Sequence, residues 1–146
     1  GCGSGICAVI AARDALKLNT EVVGVVSTEA NAAQQAHSSG IPCSTDSART
    51  FADGMAVRSV VPEALAIYAA GASRVIAVSD DEVASAMRLI FRCTHNVSEG
   101  AGAASLAAVM QESSLNAGSR VAAILCGGNV DSEVFREVLE GNTPRP

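Results

Sequence analysis

The sequence predicts an α/β domain in which helices cover both faces of a parallel sheet, giving three layers. Three observations predict it. Segments of helical periodicity alternate with short, β-branched apolar runs along the whole chain. Two of those runs, Glu21–Ser27 (EVVGVVS) and Arg74–Val78 (RVIAV), are apolar almost throughout, as strands buried on both faces are. Glycine, proline and small polar residues punctuate the boundaries between segments. Alternation of this kind places parallel strands side by side, with helices as crossovers.

Taken in order, the chain opens on a glycine-rich turn, Gly1-Cys2-Gly3-Ser4-Gly5, that runs into a helix predicted over Ile6–Leu18. The strand Glu21–Ser27 follows, then a helix over Ala30–Ser38. Residues 39–56 read as a loop, with Gly40, Pro42 and the turn pair Asp53-Gly54. Pro62 suits the first turn of a helix that runs to about Ala70, with Gly71 as its stop. After the strand Arg74–Val78, Ser79 and Glu82 stand at capping-box spacing. The helix they start carries Val83, Met87, Ile90 and Phe91 on one face, a core stripe. Glu99–Gln111 is a helix of very small residues, so its backbone must lie close to a neighbour. Arg120–Cys126 reads as a further buried strand, and Asp131–Glu140 as an amphipathic helix ended by Gly141. There are no internal repeats and no low-complexity segment.

Composition narrows the class. The 146 residues suit one domain spanning the whole chain, 1–146. Apolar residues make up 49% and charged ones only 17%, so part of the surface is expected to pack against something else. A net charge of −5 with no basic cluster argues against nucleic acid as the main partner. The five cysteines form no C-x-x-C pair, which fits reduced thiols in a cytoplasmic protein, and with His37 and His95 they match no zinc-ligand spacing. No apolar run approaches the ~20 residues of a membrane-spanning helix, so no membrane is expected as a partner. The chain lacks an initiator methionine, and its opening turn follows no strand; an N-terminally truncated polypeptide is expected.

Two turns carry the functional expectation. The first is the glycine-rich turn; the second, Gly127-Gly128-Asn129, ends the predicted strand Arg120–Cys126. Such a pair can hold one phosphorylated ring, with helix N-terminal N–H groups on the phosphate and a small polar side chain from the other turn on the ring.

Six blocks, GCGSGICAVIAA, EVVGVVSTEANA, TFADGMAV, SRVIAVSDDEVASAM, EGAGAASLAA and ILCGGNVD, run in family order and cover nearly the whole chain. On them the chain resembles the C-terminal half of the threonine/serine dehydratases, enzymes dependent on pyridoxal 5′-phosphate with the tryptophan-synthase-β fold type (fold type II). The resemblance implies that the chain is part of the large domain of such an enzyme. It implies a phosphate loop at Cys2, Gly3, Ser4 and Gly5, with Ile6 opening the helix. Cys2 and Ser4 replace two of the family's four glycines. It implies that Cys126 meets the pyridine nitrogen, that Gly54 approaches the cofactor closely, and that Glu99 is the acidic residue near the ring. A plain alternative for Glu99 is charge complementarity at a helix N-terminus.

Two departures follow from the same resemblance. Some relatives hold a divalent metal through acidic residues whose places are taken here by Val26 and Ala32, so no such metal site is expected. The family's Schiff-base lysine belongs to the N-terminal half. The only lysine here, Lys17, falls at the end of the first helix, so no catalytic residue is expected within this chain. The implied whole is a homo-oligomeric ammonia-lyase acting on a small hydroxy amino acid, threonine or serine, with this chain inactive alone. Two other readings remain open at this point. Gly1-x-Gly3 and Glu29 begin a dinucleotide fingerprint, although Ile6 occupies the third glycine's place. The chain could also be a non-catalytic fragment.

Overall fold

The computed structural model describes all residues, Gly1–Pro146. Two strands, β1 (Val23–Ser27) and β2 (Arg74–Val78), pair in parallel, with Val23 opposite Arg74 and Ser27 opposite Val78. Six α-helices surround them: α1 (Ser4–Ala15), α2 (Ala32–Ser39), α3 (Pro62–Gly71), α4 (Asp80–Thr94), α5 (Gly100–Gln111) and α6 (Ser132–Leu139). Because successive strand side chains point to opposite faces, the pair divides its residues between two cores. Val26, Val75 and Ala77 pack with Ile10, Ala36, Leu65 and Tyr68 of α1–α3. Val25, Ile76 and Val78 pack with Val83, Met87, Ala103 and Val138 of α4–α6. The expected three layers are therefore present.

Local chemistry sets the element ends. α4 begins on the expected capping box: Ser79 Oγ accepts from the Glu82 N–H at 3.3 Å, and Glu82 Oε2 accepts from the Ser79 N–H at 2.7 Å. Its apolar stripe is buried at Val83, Met87 and Ile90, while Phe91 is half-buried edge-on against Phe135. Gly141 ends α6 at φ 98°, with its own N–H and that of Asn142 closing on the Val138 and Glu137 carbonyls. α1 starts two residues before the expected position and stops at Ala15. Lys17 takes φ 54° there, and Lys17 and Leu18 donate to Asp14 and Arg13. A single 3-10 turn, Thr28–Ala30, displaces the start of α2 to Ala32. Gly71 does not stop α3 by a left-handed turn. It is the last helical residue, and its missing side chain admits Ile10 of α1.

One expected strand is absent. Arg120–Cys126 makes no backbone ladder hydrogen bond, and all seven residues are exposed. β1 and β2 each leave one edge unpaired, but no backbone hydrogen bond joins the run to either of them, and apolar β-branched composition alone does not bring a segment to an edge. The run's ties to the body are the Ser105 hydroxyl, which donates to the Ile124 carbonyl at 2.7 Å, and Cys126 Sγ, 3.9 Å from the Ala101 carbonyl.

α5 is the element on which the candidate site is built. Its small residues allow the close approach expected of them: a side chain on Gly100 would stand 2.8 Å from Ala52 Cβ, and one on Gly102 would strike the Gly127 carbonyl. At its other end, Arg74 of β2 grips Glu112 with two hydrogen bonds, of 3.0 and 2.6 Å, and also reaches Glu21. The guanidinium holds the Glu112 carboxyl below the usual carboxylate range.

Candidate functional site

The glycine turn delivers α1 with its N-terminus bare. Gly3 is the N-cap at φ 98°, a conformation open to glycine, and a Cβ there would lie 2.9 Å from Ala64 Cβ. The first helical bond is Cys7 N–H to the Gly3 carbonyl at 3.0 Å, so the N–H groups of Ser4, Gly5 and Ile6 have no partner within the chain. No acidic residue stands in this first turn. A Cβ on Gly5 would meet nothing within 4 Å, so the space beside it is open. Ile6 turns its side chain the other way, onto Gly24 of β1, and leaves only its backbone to the site.

Three further segments close around the turn. The 3-10 turn Asp53–Met55 brings the Gly54 carbonyl within 3.1 Å of a Cβ position on Gly1, and the Gly54 Cα abuts Ala101 of α5. Glu99, the N-cap of α5, donates its N–H to the Gly127 carbonyl at 3.0 Å, and its Oε2 accepts from the Asn129 N–H at 3.1 Å. Its carboxylate is thereby committed to the Gly127-Gly128-Asn129 turn. That turn presents Cys126, exposed, with Sγ 3.9 Å from the Ala101 carbonyl.

The residues singled out from the sequence thus converge from four segments far apart in the chain. Cys2 and Ser4 lie exposed on the turn, and neither side chain is hydrogen-bonded. Lys17 lies apart: it is exposed beyond the opposite end of α1, about 18 Å of helix away at 1.5 Å per residue. Val26 and Ala32 are buried, and no group of three or more His, Cys, Asp or Glu side chains comes together. Two features carried no signal in the sequence. One is the Glu99–Asn129 bond. The other is the Tyr68 hydroxyl behind Gly3, which is buried without a hydrogen-bond partner and whose pKa burial pushes up.

Chemically, three unpartnered N–H groups at the positive end of a helix, beside open space and away from any carboxylate in that turn, suit a phosphate group. A small neutral thiol on the facing turn suits a ring atom that needs a weak polar partner. A phosphorylated pyridine ring therefore fits the residues present.

Comparison with known proteins bears on the same residues. The family model for pyridoxal-phosphate dependent enzymes matches residues 1–127. The biosynthetic L-threonine dehydratase of Mycobacterium leprae is 34% identical over 142 residues, covering 96% of this chain and 32% of that protein. The crystal structure of the T.th. threonine deaminase superposes with a TM-score of 0.80 at 29% identity, over 90% of this chain and 47% of that one. The processed threonine deaminase isoform 2 of Solanum lycopersicum shares the fold, with a TM-score of 0.88 at 24% identity, over 96% of this chain and 41% of that one. The chain spans about a third of the length of the curated relatives it matches first. These neighbours share the architecture of fold type II, and the dinucleotide reading finds no support among them.

Proposed function

The chain belongs to the pyridoxal-phosphate dependent enzymes, and from that premise we propose that it forms the cofactor-holding part of an ammonia-lyase. The reaction is β-elimination from a small hydroxy amino acid, threonine or serine, to a 2-oxo acid and ammonia. When bound, pyridoxal phosphate supplies an electron-withdrawing ring that stabilises negative charge at the substrate Cα. The chain's own residues bind and orient that group. The N–H groups of Ser4, Gly5 and Ile6 take the phosphate, on a turn that Cys2 and Gly3 shape. Gly54 forms a wall, and Glu99 fixes the turn that carries Cys126.

Cys126 faces the ring nitrogen in this reading. A neutral thiol cannot hold that nitrogen protonated as a carboxylate would, and the less electron-poor ring favours elimination over transamination. With Lys17 at the far end of α1, no residue of this chain removes the substrate proton. That base and the substrate-carboxylate contacts belong to the remainder of a larger catalytic domain, in a homo-oligomeric cytoplasmic enzyme. The 146 residues form the C-terminal part of that domain and are inactive alone. No helix is long and apolar enough to cross a membrane.

The observation that carries the reading is the unpartnered first turn of α1 beside the open face of Gly5. The intact protein, supplied with pyridoxal phosphate, is expected to release 2-oxo acid and ammonia in equal amounts from threonine or serine. Cys126→Ser should retain most of that activity, and Cys126→Asp should increase transamination. Absence of 2-oxo acid from both substrates would refute the lyase reading. An Asp variant that behaves like the Ser variant would remove Cys126 from the ring nitrogen.

A further inference from the structure

Asp80 is the first residue of α4, but its side chain takes no part in the capping box beside it. Both of its carboxylate oxygens face the loop that leads to Gly54. Oδ1 accepts from the Thr50 hydroxyl, and Oδ2 accepts from the Phe51 N–H at 3.2 Å. Thr50 Oγ1 in turn accepts from the Ala52 N–H at 3.1 Å. Thr50 is 4% exposed, one of three buried polar residues, and Ala52 is fully buried against Gly100 of α5. From Gly40 to Ala52 the chain has no helix or strand; an isolated antiparallel bridge of Ser44 with Ser59 ties down its first part, and the Asp80 and Thr50 hydrogen bonds tie down its last. Two residues beyond Ala52, the Gly54 carbonyl rests against Gly1, and its Cα rests against Ala101.

We propose that Asp80, acting through Thr50, is a positioning residue for the cofactor cradle: it fixes the Gly54 segment as the wall between the glycine turn and the N-terminus of α5. The proposal rests on the cofactor reading given above. A charge-assisted acceptor on two donors of one loop is stronger than a neutral one, and leaving the buried Thr50 hydroxyl without it is costly. Loss of either partner lets Gly54 drift from Gly1 and loosens the cradle, although neither side chain reaches the cofactor.

The test uses Thr50→Val, Thr50→Ser, Asp80→Asn and the Thr50→Val/Asp80→Asn double variant in the intact protein. Pyridoxal phosphate binding is read by equilibrium dialysis, and thermal midpoints are measured without cofactor. Thr50→Val and Asp80→Asn should each weaken binding by about tenfold, the scale of one buried hydrogen bond. The double variant should be no weaker than the worse single one, since both act in one network. Thr50→Ser should restore binding to within about twofold, because it keeps the hydroxyl. Wild-type affinity in a folded Thr50→Val or Asp80→Asn protein overturns the proposal, as do additive losses in the double variant. Failure of both single variants to fold without cofactor also overturns it, since the contact would then serve the whole fold. If the unmodified protein binds pyridoxal phosphate and Gly5→Val does not, those outcomes count against the positioning role alone. If the unmodified protein does not bind it, the cofactor reading fails and the positioning role with it.

Discussion

The first turn of α4 carries its own counter-charge, whereas the first turn of α1 carries none. Both helices point the positive end of their peptide dipoles outward. At α4, Ser79 takes the Glu82 N–H and Glu82 takes the Ser79 N–H, and Asp80, Asp81 and Glu82 set three carboxylates beside the remaining N–H groups. At α1, the N-cap is Gly3, no acid follows, and Ser4, Gly5 and Ile6 offer their N–H groups to open space. The contrast is informative because one chain builds both. A sealed helix end spends its dipole on stability, and a bare one keeps it for an anion from outside. In the function proposed above, that anion is the cofactor phosphate.

The sharpest way to break the comparison is Gly5→Val. A Cβ there meets no protein atom within 4 Å, and valine is the better helix former, so the thermal midpoint should not fall. Pyridoxal phosphate affinity should drop by at least about a hundredfold, equivalent to ~2.7 kcal/mol, because the side chain fills the phosphate's place. Gly3→Ala is expected to act differently. The left-handed φ of 98° and the crowding against Ala64 should lower stability by about 2 kcal/mol, with affinity falling as a consequence. A Gly5 variant that loses stability and keeps affinity would reverse the roles assigned to the two glycines.

On the sealed side, Ser79→Ala should cost about 1 kcal/mol of stability and leave cofactor affinity unchanged. Acid gives the smallest effect. Burial pushes the Glu82 carboxyl up, but hydrogen bonds from the Ser79 N–H, the Gln111 amide and the Ser79 hydroxyl outweigh it and hold it below its usual value of 4.5. Stabilisation by a lowered carboxyl is present above the unfolded value and lost as pH falls through the folded one. Hydrogen exchange at the Glu82 amide should therefore accelerate, relative to its intrinsic rate, between about pH 5 and pH 3. The first turn of α1, with no carboxylate, should show no such change.

Local chemistry is legible along the chain, and pairing at a distance is not. Arg74–Val78 reads at its true bounds because an apolar β-branched run is bounded by Gly71 and Ser79. The capping box and Gly141 read correctly because each acts within a few residues of itself. Arg120–Cys126 carries the same composition as a strand, yet it lies on neither free edge of the sheet, and composition does not report where a segment docks. The candidate site is legible as segments: the turn that carries Cys2–Ile6, the Gly54 turn, Glu99 and Cys126 are neighbours in space. What binds the segments to each other is not. Glu99 holds Asn129, and Asp80 holds Thr50, each across about thirty residues with no local pattern to announce it.

The central claim is that the bare first turn of α1 receives the phosphate, and the Gly5 amide reports it most directly. In intact protein labelled with nitrogen-15 at glycine, the Gly5 resonance can be assigned by its loss in Gly5→Val. Titration with pyridoxal phosphate should move that resonance to saturation, in the direction of a stronger hydrogen bond, while pyridoxal without its phosphate should leave it in place. If Gly127 and Gly128 respond to pyridoxal phosphate and Gly5 does not, the phosphate lies elsewhere and the account of α1 is contradicted.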